Sequence, residues 1–111
     1  MAKRRKGKAD GSARTPQADR VPELDFHGRP GLVAQVVHRE VLAFIARCRA
    51  AGITRARVVT GKGLHSAGRP VVRPQVERTL RRLMASGEVR LFHTERLDAG
   101  GEGALRVDLE P

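Results

Sequence analysis

The sequence predicts a small α/β protein with one sheet and two helices. The chain has 111 residues, which suits one compact domain. Runs rich in β-branched residues alternate with helical apolar stripes, and glycine or proline separates the segments. We therefore expect a single α/β sandwich with the element order βαβαββ and a four-stranded mixed sheet.

The first strand is predicted in VPELDFHG, at residues 21–28. Side chains alternate along a strand, so the apolar Leu24 and Phe26 share one face. The polar pair Asp25 and His27 then shares the other face. Glycine and proline at the end of this segment break the strand.

The first helix follows, because its apolar residues recur every three or four positions and form one buried stripe. This stripe consists of Val33, Val37, Val41, Phe44 and Cys48. Gly52 suits the left-handed position that commonly follows a helix. The helix is therefore predicted to end at the segment AAG.

The second strand and helix come next. ITRARVVT, at residues 53–60, is rich in β-branched residues and predicts a strand. Pro74 is tolerated in a first helical turn, and the helix it opens is predicted to continue to about Ser86. Its buried stripe consists of Val76, Leu80 and Leu83.

Two further strands complete the predicted sheet, EVRLFHTE at 88–95 and ALRVDLE at 104–110. Apolar and charged residues alternate strictly in the last one, which predicts a half-solvated edge strand. The glycine-rich segment LDAGGEG, at 97–103, predicts a turn linking the two as a hairpin or near-hairpin.

A polar loop is predicted where the second strand ends, in TGKGLHSAGRP at 60–70. In α/β sheets, ligands prefer the carboxyl ends of the parallel strands. The first strand ends in Asp25, His27 and Gly28, so these residues are expected on the same edge of the sheet as this loop. We therefore predict a binding site at that edge.

The charge points to a polyanionic partner. The chain has 22 Lys and Arg against 12 Asp and Glu, a formal charge of +10. Half of this excess lies in residues 1–20, which we expect to be a disordered basic arm in front of a domain at 21–111. Neutralised phosphates release counterions, so such a chain suits nucleic acid, although the charge could also serve solubility alone.

Several classes of protein are excluded or disfavoured. The one cysteine, Cys48, rules out a disulfide framework and suggests a reducing, cytoplasmic compartment. No apolar run is long enough to span a membrane, and the N-terminus lacks the apolar part of a secretory signal. Neither His38 nor His93 has a neighbour at zinc-ligand spacing. The loop lacks a P-loop ending, so no nucleotide cofactor is expected.

The residues at this edge could bind and cleave a phosphodiester. Asp25 could orient water, accept a proton or hold a hydrated Mg²⁺ or Mn²⁺ ion, and His27 could relay a proton. The loop glycines permit a close approach of the backbone to an anion, beside Lys62. The predicted nucleic-acid contacts are Arg29, Gly61, Lys62, Gly63, His65, Ser66, Arg69, Arg73, Gly101 and Gly103.

Each of these residues also has a structural interpretation. Asp25 could accept hydrogen bonds from loop amides, His27 could be a hydrogen-bonded surface histidine, and glycines are common in loops that connect a strand to a helix. The arginines at 78, 81 and 82 fit a solvated helix face. With three Phe and no Trp or Tyr, the chain lacks a stacking platform, so contacts to phosphate and sugar are expected.

Three segments together resemble one family: LDFHG at 24–28, TGKG at 60–63 and GGEGAL at 100–105. Their order and spacing are similar to those of the Smr domain, the small MutS-related module. The resemblance covers roughly residues 22–110. It implies a fold similar to the C-terminal domain of translation initiation factor three.

The resemblance also implies an activity. Several Smr proteins nick DNA or cleave RNA, and others are known chiefly as binding modules. The family's functional positions fall on Asp25 and His27 and on the loop Gly61, Lys62 and Gly63. Thr60 stands where many members have a histidine, so we assign it to the predicted catalytic set and note that a second imidazole is missing.

Three functions are compatible with this sequence. The first is a metal-assisted, structure-selective endonuclease that uses Asp25, His27 and Thr60. The second is a non-catalytic module that binds nucleic acid or the ribosome, which the threonine at position 60 favours. The third is a protein-interaction domain whose charge only aids solubility. We expect a monomer without a membrane partner.

Overall fold

The structure, a computed structural model, describes residues 21–61, 72–97 and 101–111. Their elements follow the predicted order βαβαββ. The strands are β1 (Glu23–Asp25), β2 (Arg55–Val59), β3 (Val89–Leu97) and β4 (Gly101–Leu109), and the helices are α1 (Ala34–Ala50) and α2 (Val72–Ala85). The predicted basic arm and most of the predicted polar loop lie outside the described residues.

The four strands form one mixed sheet in the order β1-β2-β4-β3. β1 and β2 are parallel, with Leu24 opposite Val58, and β4 is antiparallel to both of its neighbours. The strands β1, β2 and β3 therefore run in one direction, and β4 runs between two of them in the other. The mixed sheet is confirmed.

The predicted edge position of β4 is wrong, because β4 is a central strand. Its alternation is real: Leu105, Val107 and Leu109 are buried, whereas Arg106 and Asp108 are partly exposed. Such alternation shows that one face of the sheet is covered and the other is open to solvent. The alternation does not indicate whether a strand is paired on one edge or on both, so it does not distinguish an edge strand from a central strand.

The predicted link between the last two strands is confirmed, since β3 and β4 pair as an antiparallel ladder. The strands extend further than predicted, however. Leu97 pairs with Gly101, so most of the segment predicted as a turn belongs to the ladder.

The core lies between one face of the sheet and the two helices, which pack against each other. The predicted helical stripes are buried with one exception: Val33 is the N-cap of α1 and is exposed, and Ile45 is buried in addition. Gly52 follows α1 with a φ of +77°, as predicted. In the described residues, no helix is long and apolar enough to cross a membrane.

A polar contact joins the helices inside this core. The Thr79 side chain is fully buried, and its hydroxyl lies 2.8 Å from His38 Nδ1. Gln75 donates a hydrogen bond to the same oxygen over 3.1 Å. Because buried polar groups are costly without partners, these contacts fix α1 at His38 and α2 at Thr79 relative to each other.

Candidate functional site

The carboxyl ends of β1 and β2 lie side by side at one edge of the sheet, beside the start of β4. Asp25 pairs with Val59, and Val59 pairs with Ala104 on its other side. The Phe26 amide continues this pairing and donates to the Val59 carbonyl over 2.8 Å. Three segments that are distant in sequence thus meet, and we call residues 25–29, 60–61 and 101–103 the rim.

Asp25 and His27 are the exposed side chains at the end of β1. The His27 amide donates to Asp25 Oδ1 over 2.8 Å, which closes an Asx turn. This turn uses one carboxylate oxygen and leaves Oδ2 without a partner among the described residues. The imidazole likewise makes no hydrogen bond in the part of the chain that the structure describes, so both groups are available to a ligand.

Gly61 brings the end of β2 against His27. Its φ is +82°, a conformation that β-branched residues rarely adopt. A Cβ atom built on Gly61 would lie 3.6 Å from Cδ2 of His27. A side chain at position 61 would therefore strain the backbone and occupy the space beside the imidazole.

Thr60 is the buried member of the rim, and the residue is 5% exposed. Its amide donates to the Gly103 carbonyl over 2.7 Å, and the Gly61 amide donates to the same oxygen over 3.0 Å. The Thr60 hydroxyl lies 3.2 Å from the Gly61 carbonyl oxygen and 3.3 Å from that of Gly103. This placement suits a residue that fixes the backbone of the rim.

Arg29 follows Gly28 in the loop between β1 and α1. Two of its guanidinium nitrogens donate to the two carboxylate oxygens of Glu40, each over 2.8 Å. The guanidinium also lies over the Phe26 ring, 5.3 Å from its centre. Its hydrogen bonds lower the pKa of Glu40 and raise that of Arg29. Arg29, predicted as a phosphate contact, thus clamps the loop to α1.

Arg73 lies in the first turn of α2 and points toward β3. Its guanidinium donates to the Thr94 hydroxyl over 2.7 Å and to Glu77 over 3.2 Å.

Gly101, another predicted contact, pairs with Leu97 in the β3–β4 ladder. The other predicted contacts lie outside the described residues: Lys62, Gly63, His65, Ser66 and Arg69.

An ion-pair network below the rim ties three strands together on the open face of the sheet. Arg57 of β2 pairs with Glu23 of β1 at 2.8 Å and, across β4, with Glu95 of β3 at 2.6 Å. The hydrogen bonds from Arg57 lower the pKa of Glu95. Sequence reasoning missed this network, although outward-facing charged positions on neighbouring strands were a signal for it.

The described side chains offer few ligands for a metal ion. In residues 21–61, 72–97 and 101–111, no three His, Cys, Asp or Glu side chains are grouped to hold one. Asp25 supplies one carboxylate oxygen at the rim. Mg²⁺ often binds through one or two carboxylates together with water and substrate phosphates, so Asp25 fits an ion that is shared with a bound phosphate.

Comparisons with known proteins agree with this architecture. The Smr domain model matches residues 24–110. The Smr domain of Thermus thermophilus MutS2 is similar, at 24% identity over 82% of this chain and 100% of that chain, with a TM-score of 0.57. YdaL, a stand-alone small MutS-related protein from Escherichia coli, is similar at 22% identity over 86% of this chain and 71% of that chain, with a TM-score of 0.60.

These two structures show the fold, a small α/β unit with a four-stranded mixed sheet and two helices. A search of curated proteins gives no match. The family model spans most of the chain and includes the whole rim. The chain therefore belongs to the Smr domain family, a family of nucleic-acid-binding modules.

Proposed function

We propose that the rim binds the phosphodiester backbone of DNA or RNA and cleaves it as a structure-selective endonuclease. One observation carries this proposal: Asp25 and His27 are exposed together beside Gly61, and each keeps a polar group without a partner among the described residues. Phosphodiester cleavage requires a general acid and a general base beside a surface that a phosphate can approach, and here that surface is the protein main chain at Gly61.

The surroundings of the pair favour an anion. α1 follows the β1 loop and has neither a side-chain cap nor an acidic residue in its first turn. Unpaired amides at a helix N-terminus attract phosphate. α2 likewise has no acidic residue in its first turn and carries Arg73 there. Helix amides and an arginine contact the nucleic-acid backbone rather than the bases. The expected preference is therefore for the shape of the nucleic acid more than for its sequence.

Cleavage at this pair follows general acid–base chemistry. Asp25 Oδ2 takes the proton of the attacking hydroxyl or water, whose oxygen forms the new bond to phosphorus. The bond from phosphorus to the leaving oxygen breaks, and protonated His27 gives its proton to that oxygen. A Mg²⁺ or Mn²⁺ ion shared between Asp25 and the phosphate would neutralise charge.

The alternative is a module that binds nucleic acid or the ribosome without cutting. The burial of Thr60 favours it, since the position that holds a histidine in many Smr proteins is here a buried threonine with its hydroxyl on main-chain carbonyls. The rim then carries one imidazole among the described residues. In this case the rim binds the nucleic-acid backbone, and Asp25 serves only to close the turn at His27.

The test uses purified protein with labelled DNA duplexes, branched DNA and RNA stem-loops, in EDTA, Mg²⁺ and Mn²⁺. We expect cleavage by the parent and its loss in Asp25→Asn, with binding equal or slightly tighter because a negative charge beside phosphate is removed. His27→Ala should reduce the rate less, by about 10²–10⁴-fold.

The outcomes separate the two functions. Binding without cutting under every condition would select the non-catalytic module. Equal cutting by the parent and Asp25→Asn would remove Asp25 from the reaction and refute the proposed mechanism. A protein that binds none of the labelled nucleic acids would refute both functions.

A further inference from the structure

The net positive charge of the described residues is concentrated in the helices. α1 and α2 together contain seven arginines and two glutamates. The strand residues whose side chains are described contain four arginines and four carboxylates. The helix layer therefore carries a net charge of +5, and the sheet is neutral.

The arginines on the open face of the sheet are mostly paired. Arg57 has two carboxylate partners. Arg55 lies 3.9 Å from Asp108, and Arg90 lies 3.5 Å from Glu110. Among the sheet arginines whose side chains are described, Arg106 is the exception, since its buried Nε has no hydrogen-bond partner. This face thus presents little net charge to a polyanion.

The helix layer lacks such compensation. Of its two glutamates, Glu40 is bound by Arg29, and Glu77 is shared by Arg73 and Arg81. Arg39, Arg47 and Arg82 are exposed and make no hydrogen bond or ion pair within the described residues. Their charges are therefore directed at solvent.

We propose that the exposed side of the helices is a second contact surface for the backbone of the nucleic acid held at the rim. This helix face is formed by Arg39, Arg47, Arg78, Arg81 and Arg82. The proposal rests on the nucleic-acid binding proposed above but requires no cleavage. It assigns a binding role to arginines that the sequence alone places on an ordinary solvated face.

Spacing and continuity favour a nucleic-acid backbone as the partner. Arg78 and Arg82 lie one helical turn apart, about 6 Å along the axis. A duplex carries a phosphate about every 3.4 Å along each strand, so the two arginines span about two phosphates. The first turn of α2 reaches Thr94 through Arg73, and Thr94 pairs with Leu105, next to the rim. A backbone held at the rim can therefore reach the first turn of α2, and Arg78 and Arg82 lie further along the same helix.

The experiment compares two double variants with the same change in charge. Arg78→Gln with Arg82→Gln alters the helix face, and Arg55→Gln with Arg90→Gln alters exposed arginines of the sheet. Binding of a labelled DNA duplex is measured against salt concentration, and thermal unfolding verifies that both variants are folded.

We expect the helix variant to bind more weakly and to lower the slope of log affinity against log salt by about 1.8, at about 0.9 for each lost phosphate contact. The sheet variant should keep the parental slope. The inference is overturned if the helix variant loses no more affinity or slope than the sheet variant.

A rim variant, Gly61→Val, separates this inference from the proposed function. If Gly61→Val weakens binding and the helix variant behaves like the sheet control, the rim binds alone and the inference fails. If the helix variant weakens binding and Gly61→Val does not, the helix face binds and the proposed role of the rim fails.

Discussion

The ends of β1 and β2 are neighbours at the rim, yet they are built in opposite ways. β1 is a three-residue edge strand that ends at the exposed Asp25, and the exposed His27 follows two residues later. β2 is a central strand whose end, at Thr60 and Gly61, is bonded to the Gly103 carbonyl of β4. Of the two, the strand that carries the side chains suited to chemistry is the one with a single neighbouring strand.

The two strand ends therefore have different structural roles at the rim. The end of β2 is a fixed backbone surface, and the end of β1 carries the side chains that approach it. The β1 end is held in turn by the Phe26 amide, the Arg29–Glu40 clamp and the Glu23–Arg57 pair. The two side-chain pairs can be altered separately by substitution.

The largest effect is expected from Gly61→Val, which alters the fixed side. The β-branched side chain is strained at a φ of +82° and would occupy the space beside His27, so nucleic-acid binding should be largely lost. Gly52→Val is a matched control, because its φ is +77° and nothing lies within 4 Å of the added Cβ. Both variants should lose stability, by about 1–2 kcal/mol.

Thermal unfolding and a binding titration check this pair of variants. Weakened binding in both would mean that the loss reflects general destabilisation. Normal binding in Gly61→Val would show that the end of β2 is a mere connection.

A smaller effect is expected at the clamp on the β1 side. Glu40→Gln should weaken nucleic-acid binding a few-fold, because the loop that carries His27 is then less firmly held. The charge swap Arg29→Glu with Glu40→Arg preserves the net charge and can reform the pair. If the clamp acts by positioning, the swap should bind better than Arg29→Glu alone.

The same titration decides between positioning and direct contact. A direct role of Arg29 on phosphate predicts that Glu40→Gln binds more tightly than the parent, since it releases the guanidinium. That result would contradict the clamp and support the predicted phosphate contact of Arg29.

The smallest effect concerns the network that joins β1, β2 and β3. The pKa of Glu95 is lowered from its ordinary value of 4.5 by the hydrogen bonds from Arg57. A carboxylate whose pKa is lower in the folded than in the unfolded state stabilises the fold at any pH above its unfolded-state pKa. This stabilisation is lost as the pH falls through the folded-state pKa. The parent should therefore lose stability below about pH 4.5 through this group.

At neutral pH, the free energy of unfolding of Glu95→Gln should be lower than that of the parent by about 1 kcal/mol or less. It should also fall less steeply than that of the parent as the pH is lowered. Chemical denaturation at neutral and acid pH measures both. Glu88→Gln is the control, since the Glu88 side chain makes no ion pair within the described residues. Equal acid dependence in the parent and Glu95→Gln would show that the network does not contribute.

The sequence predicted the elements and the meeting of the first two strand ends, because apolar periodicity and the direction of parallel strands determine both. It did not predict the place of β4. Leu105, Val107 and Leu109 alternate with charged residues in the same way in a central strand with one open face as in an edge strand.

The fine structure of the site was less predictable. Arg29 and Glu40 are eleven residues apart, one in a loop and one in a helix, and no periodic pattern relates them. The hydroxyl of the buried Thr60 is hydrogen-bonded to Gly103, a residue of another strand. Motif residues identify the rim, but which of them face solvent is decided by the strands beside them.

The central position of β4 has a consequence for the order of assembly. Among the described strands, β3 pairs only with β4, which pairs with β2 by contacts such as Val58 with Leu105. During synthesis, β2 emerges long before its partner, and the rim cannot close until the Gly103 carbonyl reaches Thr60. The β3–β4 hairpin can form locally and then dock as a unit. The rim can therefore form only once β4 has joined β2.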